Sequence, residues 1–276
     1  MQTNDPGWTS SHENDHGEPQ WAHLDESLLE RVKFEVHLHY LRKYLTGSER
    51  VLEIGAGQGR FTGELAKLCR RIVVADISLT KLQLNRRNAQ ALGYTDSVEE
   101  WVESDVSDLE PHFREGEFDA VVCYGGPLSY VFDRREKALA ELVRVTRPGG
   151  TLFLSVMSLW GTIHQNFPSI LENDPRINQE IVRSGNLGPD KVAVSTHFLH
   201  AYRSTEFRAF IENAGAYVME LSASDCLSST WEDLLSTWCD NERIWHHLVD
   251  LEIEACRQPG CLDMGTHLIA VARRPS

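Results

Sequence analysis

Three glycines in five positions, Gly55, Gly57 and Gly59, follow an apolar run in "VLEIGAGQGRF" (51–61). Glycine lets backbone approach a ligand with no side chain between. A turn of this kind between a strand and a helix presents backbone N–H groups and the positive end of a helix dipole. That suits a pyrophosphate or another polar, partly anionic group. Acids recur beside it. Glu53 stands just before the turn, Asp76 closes "RIVVAD" (71–76), and Asp105 closes "VEEWVESD" (98–105). An ionised carboxylate only accepts hydrogen bonds, so Asp76 suits a ribose diol; the plainer alternative is a helix-capping acid before Ser78.

Spacing separates two kinds of ligand. The dinucleotide fingerprint is Gly-x-Gly-x-x-Gly, its third glycine admitting the pyrophosphate and close helix packing. Here Arg60 stands where that fingerprint wants Gly or Ala. Candidates for proton chemistry lie further on: Tyr124 and Tyr130, then His164, His197 and His200. "HFLH" (197–200) would place two metal ligands on one face of a helix, but no acid stands at zinc-site spacing, so no metal is expected. Each histidine has an alternative as a surface or packing residue. Glu35, His37 and His39 sit on an N-terminal helix that either packs or closes over a ligand.

The positioning elements follow from hydrophobic period. Leu28, Leu29, Val32, Val36 and Tyr40 place a helix over about 25–44. Strands are expected at 50–55, 71–76, 98–105, 118–126 and 151–158. Helices between them carry Phe61, Leu65 and Leu68, then a stretch from Ser78 to Gly93, then one opened by Asp133 and Glu136 as a capping box. "RPGG" (147–150) turns into the fifth strand. Ser204 caps a helix stopped by Gly215, and 216–223 and 266–274 supply two last strands. Trp231, Trp238 and Trp245 recur every seven residues, which predicts one helix stripe. Strand–helix alternation implies an α/β fold: a doubly wound, Rossmann-like, mostly parallel sheet of about seven strands with helical lid insertions. The expected divisions are a disordered tail (1–22), the N-terminal helix (23–48), the ligand-binding core (49–158), a lid or substrate insertion (159–203), and a C-terminal part of the sheet (204–276) with a Trp-rich insertion at 224–264.

A net charge of -14 over 276 residues argues against nucleic-acid binding, which needs an excess of Lys and Arg. The six cysteines form no CxxC pair and read as free thiols of a reducing compartment. No signal peptide and no apolar run of membrane length is seen. The expectation is a cytoplasmic protein without a membrane partner.

Five stretches in order, "VLEIGAGQGRF", "VVADIS", "ESDVSDL", "FDAVVCYGGPLSY" and "LVRVTRPGGTLFLSV", resemble the motifs of class I S-adenosylmethionine-dependent methyltransferases of the small-molecule, type 11-like kind. The resemblance covers about residues 48–158. It implies S-adenosyl-L-methionine as cofactor. By it, Gly55, Ala56, Gly57 and Gly59 hold the amino-acid end, with Glu53 supporting the turn. Asp76 accepts from the ribose hydroxyls and Ile77 packs on the adenine. Asp105 accepts from the adenine amino group with Val106 beside it, and Cys123, Tyr124 and Gly125 line the methyl end. The amino-methyltransferases of nucleic-acid bases carry an Asn/Asp-Pro-Pro-Tyr-type run after the fourth strand, and this chain has "CYGGPLSY" there.

Methyl transfer from a sulfonium is a displacement at carbon that chiefly needs alignment and exclusion of water. A base is needed only when the acceptor starts protonated, so no catalytic residue is assigned beyond the candidates Tyr124, His164, His197 and His200. The expected activity is methylation of an O or N atom of a small-molecule metabolite. An NAD(P)-dependent oxidoreductase and a non-catalytic S-adenosylmethionine-binding protein remain as alternatives.

Overall fold

The computed structural model describes residues 27–191 and 197–276. The expected N-terminal tail lies outside the described residues. Helix α1 (Leu28–Tyr44) begins at Ser27, whose Oγ accepts the Glu30 N–H at 3.3 Å. There follow β1 (Arg50–Ile54), α2 (Arg60–Leu68), β2 (Arg71–Asp76), α3 (Leu79–Leu92), β3 (Val98–Glu103) and β4 (Phe118–Cys123). Next come α4 (Pro127–Tyr130), α5 (Arg135–Val145) and β5 (Thr146–Met157). The sheet order is β3-β2-β1-β4-β5-β9-β8, with β8 (Tyr217–Ala223) and β9 (His267–Arg273). Strands β1 to β5 pair in parallel, and β9 runs antiparallel between β5 and β8.

Both faces of the sheet are covered, as apolar strand runs require. Alternation along each strand divides the core. Leu52, Val73, Val121 and Leu154 face α5 through Leu139 and Leu142, and α9 (Ser204–Asn213) through Phe207 and Ile211. Val51, Val74, Val122 and Phe153 face Val36 and Leu41 of α1, Leu65 of α2 and Leu82 of α3. Each such side chain contributes about 1.5–3 kcal/mol by leaving water.

Several expectations change. Ser78 caps α3 and Gly93 ends it in the left-handed region, as anticipated. Asp133 does not cap α5: residues Phe132–Arg134 form a 3-10 turn and the helix starts at Arg135. Ser204 is the first helical residue, and its Oγ donates to Asp263 instead of capping. "RPGG" lies within β5, which pairs with β4 across a register shift. The stretch after β5 is more regular than its composition suggested. It holds α6 (Leu159–Gln165), α7 (Phe167–Glu172), α8 (Pro175–Ser184) and a small ladder of β6 (Asn186–Leu187) with β7 (Leu199–His200). The tryptophans do not share one helix. Trp231 precedes α10 (Glu232–Trp238), and Trp245 lies in α11 (Glu242–Cys256), because Asn241 caps a new helix by accepting the Ile244 N–H. Trp245 is buried against Leu29, Val32 and Leu235, with the Arg31 guanidinium 4.4 Å from its ring centroid.

Candidate functional site

A cavity of about 610 Å³ runs along the edge of the sheet where the parallel strands end. That volume is within the usual range for small-molecule sites, about 300–1,000 Å³. Its wall starts at Asp105 and Val106, past the end of β3. It continues past Asp76 and Ile77 after β2, Gly55–Gly57 after β1, and Tyr124 and Gly125 after β4. It reaches Met157 at the end of β5 and His267 at the start of the reversed β9. Five strand spacings of about 4.8 Å make this roughly 24 Å of sheet edge.

The glycine turn is built differently from the open anion cradle its sequence suggested. The N–H groups of Gly55 and Ala56 donate to the Ala75 carbonyl at 2.9 and 3.1 Å. The Gly57 N–H donates to Asp76 Oδ2 at 2.8 Å, and the Gly59 N–H to the Ala56 carbonyl. The turn therefore spends these donors on itself and on β2. What it offers a ligand is a surface bare of side chains. Gly57 (φ +55°) and Gly125 (φ +80°) would each project a Cβ into open space. At Gly55 a Cβ would meet Pro127 Cγ at 2.4 Å, and at Gly59 it would meet Asn85 at 2.9 Å. Gly55 thus borders the cavity but owes its identity to Pro127, and Gly59 is a packing residue off the wall.

Behind the turn a chain of hydrogen bonds links four elements, β3, α3, α2 and β1. Trp101 Nε1 donates to Asn85 Oδ1, Asn85 Nδ2 donates to Thr62 Oγ1, and Thr62 Oγ1 donates to Glu53 Oε2 at 2.6 Å. Glu53 is buried and does not reach the cavity. Burial, with Asp76 nearby, pushes its carboxyl up to about 8. It braces the root of α2 through Thr62, whereas the turn itself is tied by Asp76 and Ala75.

Asp76 is buried, and it accepts the Ser78 N–H on Oδ1 as well as the Gly57 N–H on Oδ2, each at 2.8 Å. Asp105 accepts the Ser107 N–H and Oγ–H on Oδ1 at 2.8 Å and Arg134 Nη1 on Oδ2 at 2.6 Å. Burial raises its pKa, but the Ser107 bonds and the Arg134 charge outweigh that and hold it below the usual carboxylate value. The Ser104 hydroxyl beside it is buried without a hydrogen-bond partner among the described residues.

Of the remaining residues singled out from sequence, Ala56, Ile77, Val106, Tyr124, Gly125 and His197 line the cavity. Cys123 does not. It is the last residue of β4 and points to the opposite face, into the core with Leu128 and Leu154, where burial pushes its thiol up to about 12. His164 is exposed on α6 away from the wall. His200 is a bridge: Nδ1 meets Asn186 Oδ1 and Nε2 meets Glu206 Oε1, both at 2.7 Å. None of "HFLH" is helical: only Leu199 and His200 lie in a short strand and His197 precedes it, so the histidines lack the side-by-side geometry imagined for metal.

The structure adds a wall that sequence reading named only in part. Helix α1 presents Glu30, Lys33, Phe34 and His37 on one face, while Glu35 and His39 line a separate cleft on its other side. Lys33 Nζ pairs with Glu30 Oε1 at 2.7 Å with the lysine side chain only 5% exposed. The His37 ring lies 4.7 Å from Tyr124 and 6.2 Å from His267, centroid to centroid. Its Nδ1 contacts the Lys33 carbonyl at 2.7 Å. A carbonyl only accepts, so Nδ1 carries the proton and Nε2 keeps its lone pair. Burial, then the charge of His267, lowers His37 to about 3; burial and Lys33 lower His267 to about 4. The helical spacing 30, 33, 34, 37 was the available signal for this face.

The chain is 24% identical over 226 residues to the tRNA 5-carboxymethoxyuridine methyltransferase of Escherichia coli O157:H7, spanning 82% of this chain and 80% of that protein. A SAM-dependent methyltransferase from Methanosarcina mazei superposes with a TM-score of 0.59 at 16% identity, covering 86% of this chain and 97% of that one. The N-methyltransferase NodS of Bradyrhizobium japonicum, solved with S-adenosyl-L-homocysteine, superposes at 0.57 with 18% identity and 97% of each chain covered. Residues 52–154 match the family described as Methyltransferase domain, and this match together with these relatives supports a class I S-adenosylmethionine-dependent methyltransferase that uses S-adenosylmethionine as cofactor.

Proposed function

We propose that the cavity holds S-adenosylmethionine along the sheet edge, with its nucleoside end over β3 and β2 and its methyl end over β4, and that the enzyme methylates an O or N atom of a small molecule. One observation carries the orientation: the closed glycine turn. With the N–H groups of Gly55, Ala56, Gly57 and Gly59 already bonded, the turn gives a pyrophosphate little to bind. A compact methionine end, with its ammonium, carboxylate and sulfonium, needs close approach to backbone, and the open faces of Gly57 and Gly125 supply it. This also weighs against the dinucleotide alternative. Asp76 then takes the ribose hydroxyls, Ile77 and Val106 enclose the adenine, and Asp105 accepts from its amino group.

The acceptor occupies the other end, between Tyr124, Met157, His267 and the α1 face. Methyl transfer there needs alignment and a dry site. Neutral His37 and His267 are hydrogen-bond partners for the acceptor, and His197 of the 159–203 insertion, which we assign as the lid, walls one side with Tyr130 of α4 beside it. The Trp-rich 224–264 segment is assigned as the support of α1, on the burial of Trp245 against it. The net charge of -14 favours a small acceptor over a polynucleotide. Six free cysteines fit a reducing, cytoplasmic setting. Among the described residues no helix is long and apolar enough to cross a membrane.

The tRNA modification enzyme of Escherichia coli, aligned along 80% of its length, supports a second reading, a tRNA nucleoside as acceptor. Labelled methyl transfer from S-adenosylmethionine into a metabolite extract and, separately, into total tRNA decides between them. Label in the small-molecule fraction alone is expected; label in tRNA alone rejects the small-molecule reading.

A further inference from the structure

The adenine end contains an arginine that the motif series did not single out. Arg134 Nη1 donates to Asp105 Oδ2 at 2.6 Å and to Ser107 Oγ at 2.8 Å, while Ser107 donates to Asp105 Oδ1 through both its N–H and its hydroxyl. The result is a closed ring of three side chains at the end of the cavity, whose wall includes Arg134 itself. The arginine side chain is 28% exposed and the aspartate 16%. Nε and Nη2 of Arg134 have no protein partner among the described residues. Backbone geometry delivers the guanidinium there. Phe132, two residues earlier, has φ +50°, a region a bulky side chain rarely adopts. Its ring lies 6.3 Å from Phe198, and its carbonyl accepts from Arg135 Nη1.

We propose that Arg134 is a positioning residue for base selection: it holds Asp105 as a fixed, acceptor-only carboxylate and so makes the enzyme choose a purine with an amino group over one with a carbonyl at the same position. This rests on the reading that Asp105 faces the adenine. The chemistry follows from the ring. Asp105 has one oxygen committed to Ser107 and the other anchored by a charged donor, which is the stronger kind of hydrogen bond. Pinned this way, the carboxylate cannot present an O–H. An exocyclic amino group donates to it. The carbonyl of hypoxanthine would set two acceptors against each other, and a buried unmatched acceptor is what rejects a wrong ligand most effectively. A staple that only joined the exit of β3 to the 132–134 turn would support the fold but would not set this preference.

The test is calorimetric titration at one fixed pH with S-adenosylhomocysteine and with S-inosylhomocysteine, on wild type, Arg134→Gln, Arg134→Lys, Asp105→Asn and the double variant, each checked for folding by thermal melting. Wild type should prefer the adenine ligand by about 100-fold or more. Arg134→Gln should weaken S-adenosylhomocysteine about tenfold and narrow the preference by a similar factor, with Arg134→Lys recovering part of both. Adding Asp105→Asn to Arg134→Gln should cost little more than Asp105→Asn alone. An Asp105→Asn variant that keeps full affinity and full preference overturns the placement of the adenine. If Asp105→Asn loses the preference while folded Arg134→Gln keeps it, the adenine is placed correctly and the role given to Arg134 is wrong.

Discussion

Asp76 Oδ2 accepts the Gly57 N–H at 2.8 Å, so the acid at the tip of β2 holds the glycine turn that follows β1. Asp76 therefore has two tasks: shaping the turn and, by our reading, binding the ribose. Asp76→Ala should lower affinity for S-adenosylhomocysteine by about 1.5–3 kcal/mol, the cost of losing hydrogen bonds to a charged group. Because the turn loses its tie as well, the ligand-free protein should also melt earlier. Calorimetric titration and a melt of the free protein read the two effects. A folded variant with undiminished affinity removes the ribose from this position.

Gly57 and Gly55 should respond differently to the same change. Both have positive φ, so alanine at either carries about 1–2 kcal/mol of backbone strain. At Gly57 the new methyl enters the cavity, whereas at Gly55 it collides with Pro127. Gly57→Ala should chiefly lower S-adenosylhomocysteine affinity. Gly55→Ala should chiefly lower the melting temperature. Equal effects of both variants on both readings would show that the open face of Gly57 is not a ligand surface.

Four of the five parallel strands were legible as largely apolar runs ended by a turn or an acid, and β3, "VEEWVE", by its valines and tryptophan between glutamates, a signal contained in neighbouring residues. Asp76 and Asp105 were legible for the same reason, as acids at strand tips. The closed state of the turn was not, since it depends on Gly57 meeting an oxygen from the next strand. Nor was the other end of the cavity, where His37 and His267 meet from opposite ends of the chain, brought together by β9 entering the sheet beside β5. Cys123 and Tyr124 are adjacent in sequence and point to opposite faces, one to the core and one to the cavity. Heptad spacing of the tryptophans misled because Asn241 starts a second helix between them. Arg134 escaped notice because the 3-10 turn that aims it has no strong sequence signature.

Glu53 predicts a stability slope between about pH 4.5 and pH 8. Its folded pKa of about 8 lies above the ordinary value near 4.5. Between these values the native state binds more protons than the unfolded chain, so stability falls as pH rises through that window. Glu53→Gln keeps an oxygen for the Thr62 hydroxyl and removes the ionisation. At pH 8 it should be more stable than wild type, on the order of 1–3 kcal/mol, since a pKa unit corresponds to about 1.4 kcal/mol. The gain should vanish near pH 5. Denaturant melts at the two values check this, and a variant no more stable at pH 8 than wild type contradicts it.

His37 and His267 predict the opposite slope on the acid side. Their folded values, about 3 and about 4, lie below the ordinary imidazole value of 6.5. Below pH 6.5 the unfolded chain therefore takes up protons that the native state refuses, and stability falls with falling pH until the folded values are reached. The charged groups facing the pair are Glu30 and Lys33 on α1 and Asp225 before β9, and burial outweighs them. His37→Gln should lose less stability than wild type between pH 7 and pH 5. It also keeps an amide that can donate to the Lys33 carbonyl, so the fold should survive. At neutral pH both rings are uncharged, so acceptor methylation should show no rise with ring deprotonation near pH 6.5. A pH–rate profile climbing through 6.5, abolished by His37→Gln, would mean that the ring titrates in the normal range and that the buried, neutral imidazole described for the acceptor end is incorrect.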